Sequence, residues 1–220
     1  MSYRTEFKVV TVGDDGVGKT CLLSTLNDKP FPTEAPTIFD NQTQNVCYEG
    51  VPYELHMWDT AGNDEYGRLR PLAYSGANVV LICFSLVSKE SFVNISKKWL
   101  DEVKKYSKDA IIILVGTKLD LYQERNVDHV TDDEISKFVT EQKCSAFIKC
   151  SSKNKLNIDA VFPAIIKEYV KKASAVVSPE GKDEQIRVLM SYIRFLEDRL
   201  SKYEPTKQIN FEKLLNDQNE

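Results

Sequence analysis

Short apolar runs alternate with amphipathic segments along most of the chain. The apolar runs are rich in β-branched residues and stop at glycine or polar positions, a pattern typical of strands. The runs at 78–85 and 110–115 are almost entirely apolar, as expected of strands covered on both faces. Strands are predicted at 7–12, 42–48, 53–58, 78–85, 110–115 and 146–149, the second and third as a hairpin around residues 49–52.

Helices are predicted between these strands. In 88–105 the apolar residues recur every three or four positions, which places them on one helix face. Thr131 and Glu134 have the form of a capping box at the start of another helix. Three prolines and little periodicity predict a loop at 28–41. The helices are expected at 19–26, 88–105, 131–142 and 157–172.

The order of these elements predicts an α/β fold. Strands joined by helices require right-handed crossovers, so the six strands should form a mostly parallel sheet with helices on both faces. The hairpin should add one antiparallel strand at the edge of this sheet. The domain is expected to span residues 1–176.

The last part of the chain, 177–220, is predicted to be a C-terminal helical extension. Within 186–203, six apolar residues have spacings that alternate between three and four, the a/d pattern of a short coiled coil. Such a helix should bury its apolar stripe against a second copy, a partner helix or the first domain of the same chain. The six residues are Ile186, Leu189, Ile193, Leu196, Leu200 and Tyr203.

Composition and charge narrow the class of protein. A net charge of −4, from 29 basic and 33 acidic residues, argues against a general nucleic-acid binder. Five cysteines without a CxxC pair argue against a zinc site or a disulfide framework and favour a reducing compartment. The N-terminus has no apolar signal core, and no apolar run reaches the ~18 residues that a bilayer span needs. A cytoplasmic protein is therefore expected.

A glycine-rich phosphate-binding motif follows the first predicted strand and opens the first helix. The sequence GDDGVGKT at 13–20 matches G-x-x-x-x-G-K-[ST] in the strand-to-helix context that this motif requires. Its glycines let backbone N–H groups wrap phosphates, Lys19 supplies a positive charge, and the Thr20 hydroxyl can ligate Mg²⁺. The nucleotide contacts predicted here are Gly13, Asp14, Asp15, Gly16, Val17, Gly18, Lys19, Thr20 and Cys21.

Three more polar segments follow the ends of predicted strands, where ligands bind in open α/β sheets. Asp59 could hold Mg²⁺ through water, and Gly62 lets the backbone approach a γ-phosphate. Asp120 offers a carboxylate to both N–H donors of a guanine edge, which disfavours an ATP-dependent enzyme. The contacts predicted from these segments are Asp59, Thr60, Ala61, Gly62 and Asn63, then Thr117, Lys118 and Asp120, and finally Ser151, Ser152 and Lys153, which could close over the base.

Over roughly residues 5–175 the chain resembles the Rho family of small GTPases. The resemblance implies a Ras-like P-loop GTPase fold, with GTP or GDP as ligand and Mg²⁺ as cofactor. Thr117, where most small GTPases have asparagine, is itself Rho-like. The segments that carry the resemblance are 36–41 (PTIFDN), 58–72 (WDTAGNDEYGRLRPL), 81–88 (LICFSLVS) and 117–120 (TKLD).

The resemblance also implies roles for single residues and for partner proteins. Effectors would read 36–41 and 62–74 in the GTP-bound state, and exchange factors would act on the same domain. A role in signalling to the actin cytoskeleton is an expectation of this kind. By motif match, the Mg²⁺ ligands would be Thr20, Thr37 and Asp59; Phe31 would stack near the guanine; and Lys19, Thr37 and Asn63 would serve catalysis.

Two departures from the family fall on positions tied to hydrolysis. Asp15 stands where the phosphate loop of the family has glycine, and its side chain adds bulk and negative charge beside the γ-phosphate. Asn63 stands where the family has the glutamine that orients the attacking water, and it is one methylene shorter. The hypothesis is a switch with impaired hydrolysis. The alternative is a non-cycling scaffold that holds GTP permanently.

Further departures concern exchange and membrane attachment. Ala35 replaces a tyrosine that covers the nucleotide in the family, in a first switch that is one residue shorter. The stretch between Asp120 and Ser151 is too short for the extra helix of Rho proteins. No cysteine follows Cys150, so a prenylated C-terminus is not expected, and the acidic tail argues against direct lipid binding. Membrane association is expected only through a partner.

Overall fold

The computed structural model describes residues 5–32, 39–122 and 129–175. Its centre is a six-stranded sheet with the order β2-β3-β1-β4-β5-β6. All neighbouring strands are parallel except β2 and β3, so the predicted mostly parallel sheet with an antiparallel strand at one edge is confirmed. The strands are β1 (Thr5–Val12), β2 (Phe39–Tyr48), β3 (Val51–Thr60), β4 (Val79–Ser85), β5 (Ile111–Thr117) and β6 (Ala146–Lys149).

The hairpin strands are longer than the sequence predicts. β2 pairs with β3 along its full length, so the predicted loop at 28–41 ends before Phe39 and the turn shrinks to residues 49–50. Pro52 is tolerated inside β3 because β1 begins to pair with this strand only at Tyr53, so no ladder N–H is needed on that side. Cross-strand pairing therefore extends the hairpin into segments whose local pattern favours a loop.

Seven α-helices are present in the described part of the chain. The predicted capping box is confirmed: the Thr131 hydroxyl accepts from the Glu134 backbone N–H, and the Glu134 carboxylate accepts from the Thr131 N–H. The predicted helix at 88–105 is interrupted, because a π-helical segment, Ile95–Trp99, joins two shorter α-helices. The helices are α1 (Lys19–Leu26), α2 (Arg70–Tyr74), α3 (Lys89–Asn94), α4 (Leu100–Tyr106), α5 (Leu119–Tyr122), α6 (Asp132–Glu141) and α7 (Val161–Ala175), with 3-10 turns at Asp64–Tyr66 and Ile158–Ala160.

Each face of the sheet is covered by its own apolar layer. Since successive strand residues point to opposite faces, Val9 of β1 packs in the layer that contains α1 and α7. Its neighbour Val10 packs in the layer that contains Tyr74, Trp99 and Ile135. The two layers hold the parallel strands side by side, so that the loops after their carboxyl ends meet along one edge.

Several predictions concern residues outside the described ranges. These are the Mg²⁺ ligand Thr37, the shortened switch with Ala35, and the helical tail at 177–220. Residues 36–38, half of the segment 36–41 proposed for effectors, also lie there. Within the described ranges, no helix is both long enough and apolar enough to cross a bilayer.

Candidate functional site

The loops predicted to carry chemistry meet at the carboxyl edge of the sheet. The glycine-rich loop follows β1, the segment from Asp59 closes β3, and the Asp120 segment follows β5. Ser151 follows β6, and β5 and β6 are neighbouring parallel strands. The fold therefore brings all four predicted segments to one edge, as expected of an open α/β sheet.

The glycine-rich loop wraps around a buried cation. Lys19, the first residue of α1, is only 6% exposed, and its Nζ donates to the carbonyls of Gly13 at 2.9 Å and Asp14 at 2.8 Å. Burial lowers the pKa of Lys19, and the negative charges of Asp59, Asp15 and Asp14 act in the opposite direction. A buried ammonium at a helix N-terminus, inside a ring of backbone groups, is suited to hold phosphate oxygens.

Gly13 cannot be replaced without moving the sheet. Its φ is +143°, and a Cβ built there would lie 2.1 Å from the Cys83 carbonyl oxygen of β4. We expect Gly13→Ala to lower the free energy of unfolding by about 3 kcal/mol or more, since both backbone strain and a clash with a core strand result. Gly76→Ala is the matched control: φ is +70° there, but no atom lies within 4 Å of the added Cβ. Equal losses in guanidinium titrations of the two variants would contradict this prediction.

The two aspartates of the loop have different surroundings. The Asp14 carboxylate accepts from Trp99 Nε1 and from Asn94 Nδ2, both at 2.7 Å. Asp15 is exposed, and its Oδ1 accepts from the Gly16 backbone N–H at 3.0 Å. Asp14 is thus tied to the helix region beside the loop, whereas Asp15 occupies a loop N–H that could otherwise face a phosphate.

The end of β3 lies against the glycine-rich loop. Asp59 is buried, and the Thr60 hydroxyl donates to the Thr11 carbonyl of β1 at 2.7 Å. A Cβ on Gly62 would lie 2.3 Å from the Asp15 backbone nitrogen. Only glycine therefore allows the two loops this close approach.

Asn63 caps the turn that follows Gly62. Its Oδ1 accepts from the Glu65 backbone N–H at 3.0 Å and begins the 3-10 turn Asp64–Tyr66, while the residue remains exposed. The amide oxygen is therefore engaged in local structure.

A buried ion pair fixes the segment after Asn63. Arg70 is 3% exposed and binds Glu102 through two hydrogen bonds, Nε to Oε1 at 2.8 Å and Nη2 to Oε2 at 3.0 Å. The Tyr74 hydroxyl donates to the same carboxylate at 3.0 Å, and burial together with this carboxylate raises the pKa of Tyr74. Nearer the surface, the hydrogen bond from Lys98 lowers the pKa of Asp64.

The other end of the site is built around β5 and β6. Thr117 is buried, and its hydroxyl lies within hydrogen-bond distance of the Val17 carbonyl at 2.6 Å and the Phe84 carbonyl at 2.9 Å. This threonine joins the glycine-rich loop to the ends of two strands. Asp120 accepts from the Ser151 hydroxyl at 2.6 Å, which brings the two segments predicted to hold a base into direct contact.

Four of the remaining predicted residues are at least partly exposed. Phe31 is 45% exposed, Cys21 and Ser152 are half-buried, and Lys153 is exposed. Sequence reasoning missed four residues that contact the predicted loops. These are Asn94, Lys98, Trp99 and Glu102. Their only sequence signal is helical spacing, which assigns Trp99 to the core and says nothing of the loops it touches.

The donor set fits a nucleotide phosphate and a magnesium ion. The buried Lys19 and the loop backbone suit phosphate oxygens. Thr20 is the second residue of α1 and Asp59 is buried near the end of β3. Their hydroxyl and carboxylate oxygens are hard ligands of the kind that Mg²⁺ prefers.

Comparison with protein families agrees with this geometry. Residues 8–171 match the family model described as the Ras family. The match begins within β1 and ends in α7, so it covers at least part of every strand and all four segments of the site. The chain therefore belongs to the Ras family of small GTPases, which bind GTP and GDP with Mg²⁺ and hydrolyse GTP.

Proposed function

We propose that this chain is a GTP-binding switch of the Rho subfamily that hydrolyses GTP slowly. The observation that carries the proposal is the convergence of Lys19, Asp59 and Asp120 at one edge of the sheet. Binding of a guanine nucleotide with its magnesium ion needs three kinds of group: a cation for the phosphates, an oxygen ligand for the metal and a hydrogen-bond acceptor for the guanine. The Rho assignment is supported by Thr117 and by the WDTAGNDEYGRLRPL segment at 58–72.

The proposed roles follow from the positions of the side chains. Lys19 and the N–H groups of its loop neutralise phosphate oxygens, and the Gly62 N–H senses the γ-phosphate. Thr20 and Asp59 would hold Mg²⁺, with Thr37 as a third ligand implied by the family resemblance, and the bound ion would supply further positive charge against the phosphates. Asp120 accepts from the guanine edge, and Ser151 orients that carboxylate through its hydroxyl.

Slow hydrolysis is proposed from the two residues that depart from the family. The Asp15 carboxylate accepts a loop N–H and brings negative charge to the place where the transition state gains it. The Asn63 amide oxygen accepts from Glu65 N–H, so it is directed into the cap and away from an attacking water. Both arrangements reduce stabilisation of the transition state.

A single-turnover experiment tests this proposal. We expect the double variant Asp15→Gly with Asn63→Gln to hydrolyse preloaded GTP at least about tenfold faster than the wild type, because one positioned donor or water contact is commonly worth that much. Each single variant should give part of the gain. Asp109→Gly, at the opposite end of β5, is the matched control. A wild-type rate equal to that of the double variant would contradict impaired hydrolysis.

The scaffold alternative is separated by the nucleotide that purifies with the protein. Mostly GDP would favour a cycling switch. Mostly GTP would fit either slow hydrolysis or a permanently loaded scaffold, and the single-turnover experiment then separates the two, because the scaffold should convert none of its GTP. Both forms need a partner surface, and α2 with the turn before it offers exposed apolar side chains. Leu69 is 44% exposed and Leu72 is 68% exposed, which suits an effector interface at 62–74.

A further inference from the structure

One helical region contacts both loops that are proposed to surround the terminal phosphate. From residues 94–99, Asn94 and Trp99 donate to the Asp14 carboxylate of the glycine-rich loop. From the same region, Lys98 donates to the Gly62 carbonyl at 3.4 Å. Both loops are therefore held by the same helical region as well as by contacts with each other.

The π-helical segment explains how these side chains reach their targets. Asn94 and Trp99 are five positions apart, which in an α-helix would place them about 140° apart around the axis. The π-helical segment Ile95–Trp99, which directly follows Asn94, has hydrogen bonds between residues five apart, and its wider turn brings Trp99 closer to the side of the helix on which Asn94 lies. Both can therefore bind one carboxylate, Asn94 at Oδ2 and Trp99 at Oδ1.

Arg70 and Lys98 hold three consecutive carbonyl groups of the loop that follows β3. Arg70 Nη1 donates to the carbonyls of Ala61 at 3.3 Å and Asn63 at 2.9 Å, and Lys98 donates to that of Gly62 between them. Glu102 fixes the Arg70 guanidinium through both of its oxygens.

The Trp99 ring joins the cations to the glycine-rich loop. Lys98 Nζ lies 4.4 Å and Arg70 Cζ 4.9 Å from the centroid of this buried ring, distances typical of cation–π contacts. The indole N–H of the same ring donates to Asp14. Because Gly62 also packs directly against the Asp15 backbone, these contacts hold its peptide at the glycine-rich loop.

We infer that Lys98 and Glu102 are positioning residues for recognition of the γ-phosphate. They hold the Ala61, Gly62 and Asn63 peptides where the Gly62 N–H can meet the third phosphate, so ordering this loop costs less when GTP binds. GDP lacks that phosphate and gains nothing from the arrangement. The inference rests on the proposed role of Gly62 and adds the residues that make it effective.

The test compares affinities for GDP and for a non-hydrolysable GTP analogue. Full-length Lys98→Ala and Glu102→Gln proteins should lose about fivefold or more in affinity for the analogue and less than about twofold for GDP, the size expected when one positioned contact is lost. Lys97→Ala, the exposed neighbour on the same helical segment, should change neither affinity. Lys98→Arg, which keeps a cation, should restore part of the loss.

The difference between the two nucleotides is the readout that a purely structural role would not move, and hydrogen exchange locates the segment that loosens. Backbone amides at 62–66 should exchange faster in Lys98→Ala than in Lys97→Ala, while those of β4 keep their protection. Equal losses for both nucleotides, or no loss in either variant, would overturn the inference while leaving guanine binding in place. A wild-type chain that binds neither nucleotide would overturn the proposed function together with it. Since Lys98 is only half-buried, its variant remains informative even if Glu102→Gln fails to fold.

Discussion

Lys19→Met is expected to lower affinity for GTP and GDP by at least about a hundredfold. Removing one member of a buried, hydrogen-bonded charge pair typically costs a few kcal/mol in binding, and Lys19 is the buried cation of the glycine-rich loop. Methionine has a similar length but carries no charge and no donor.

Fluorescent nucleotide titration with excess Mg²⁺ measures this loss. Lys137→Met is the matched control, because that lysine is exposed on α6 and bridges Glu141 one turn away. The control should bind as the wild type does. If Lys19→Met bound within about threefold of the wild type, the assignment of the glycine-rich loop to phosphates would be wrong.

Asp120→Asn is expected to change the base that the protein prefers from guanine to xanthine. The aspartate carboxylate can accept from both N–H donors of the guanine edge, whereas an amide presents one acceptor and one donor. Xanthine offers one donor and one acceptor at the same positions, so it matches asparagine. A binding site discriminates strongly against a ligand when one of the polar groups involved is left without a hydrogen-bond partner. We therefore expect the ratio of GTP affinity to XTP affinity to fall by at least about a hundredfold.

Competition between GTP and XTP for binding to the purified protein measures this ratio directly. Asp159→Asn, in the exposed part of the turn before α7, is the control with the same chemical change. Ser151→Ala should weaken binding of both nucleotides alike, since its hydroxyl orients the carboxylate without contacting the base edge in the proposed arrangement. An unchanged ratio in Asp120→Asn would show that another group reads the base.

The fold was largely predictable because its signals are local. Each buried strand is a short apolar run, and strands separated by helical patterns must lie parallel. The Thr131 capping box was predicted correctly for the same reason, since its partners are three residues apart. The hairpin was predicted with strands that were too short, because the residues from Phe39 become a strand only through pairing with β3.

The candidate site could be nominated from the sequence where it depends on a contiguous motif. A loop that wraps a phosphate needs a short stretch of specific residues, so Lys19 and the glycines of its loop can be recognised from the sequence motif. The surroundings were not predictable from spacing. Arg70 and Glu102 are 32 positions apart, and Asp14 and Trp99 are 85 positions apart, so only the packed layers bring these partners together.

The amino-acid pattern alone was enough for the class of fold, and it nominated the phosphate loop, Asp59 and Asp120 as site residues, because each signal lies within a few neighbouring residues. The tertiary structure was needed for the arrangement around Gly62. A π-helical segment interrupts a helix that looks regular in sequence, and it turns Asn94 and Trp99 toward one carboxylate. The spacing of apolar residues in this helical region predicts only contacts with the core. In the folded protein the same region contacts both loops of the site, because packing between distant segments selects a local geometry that the spacing does not encode.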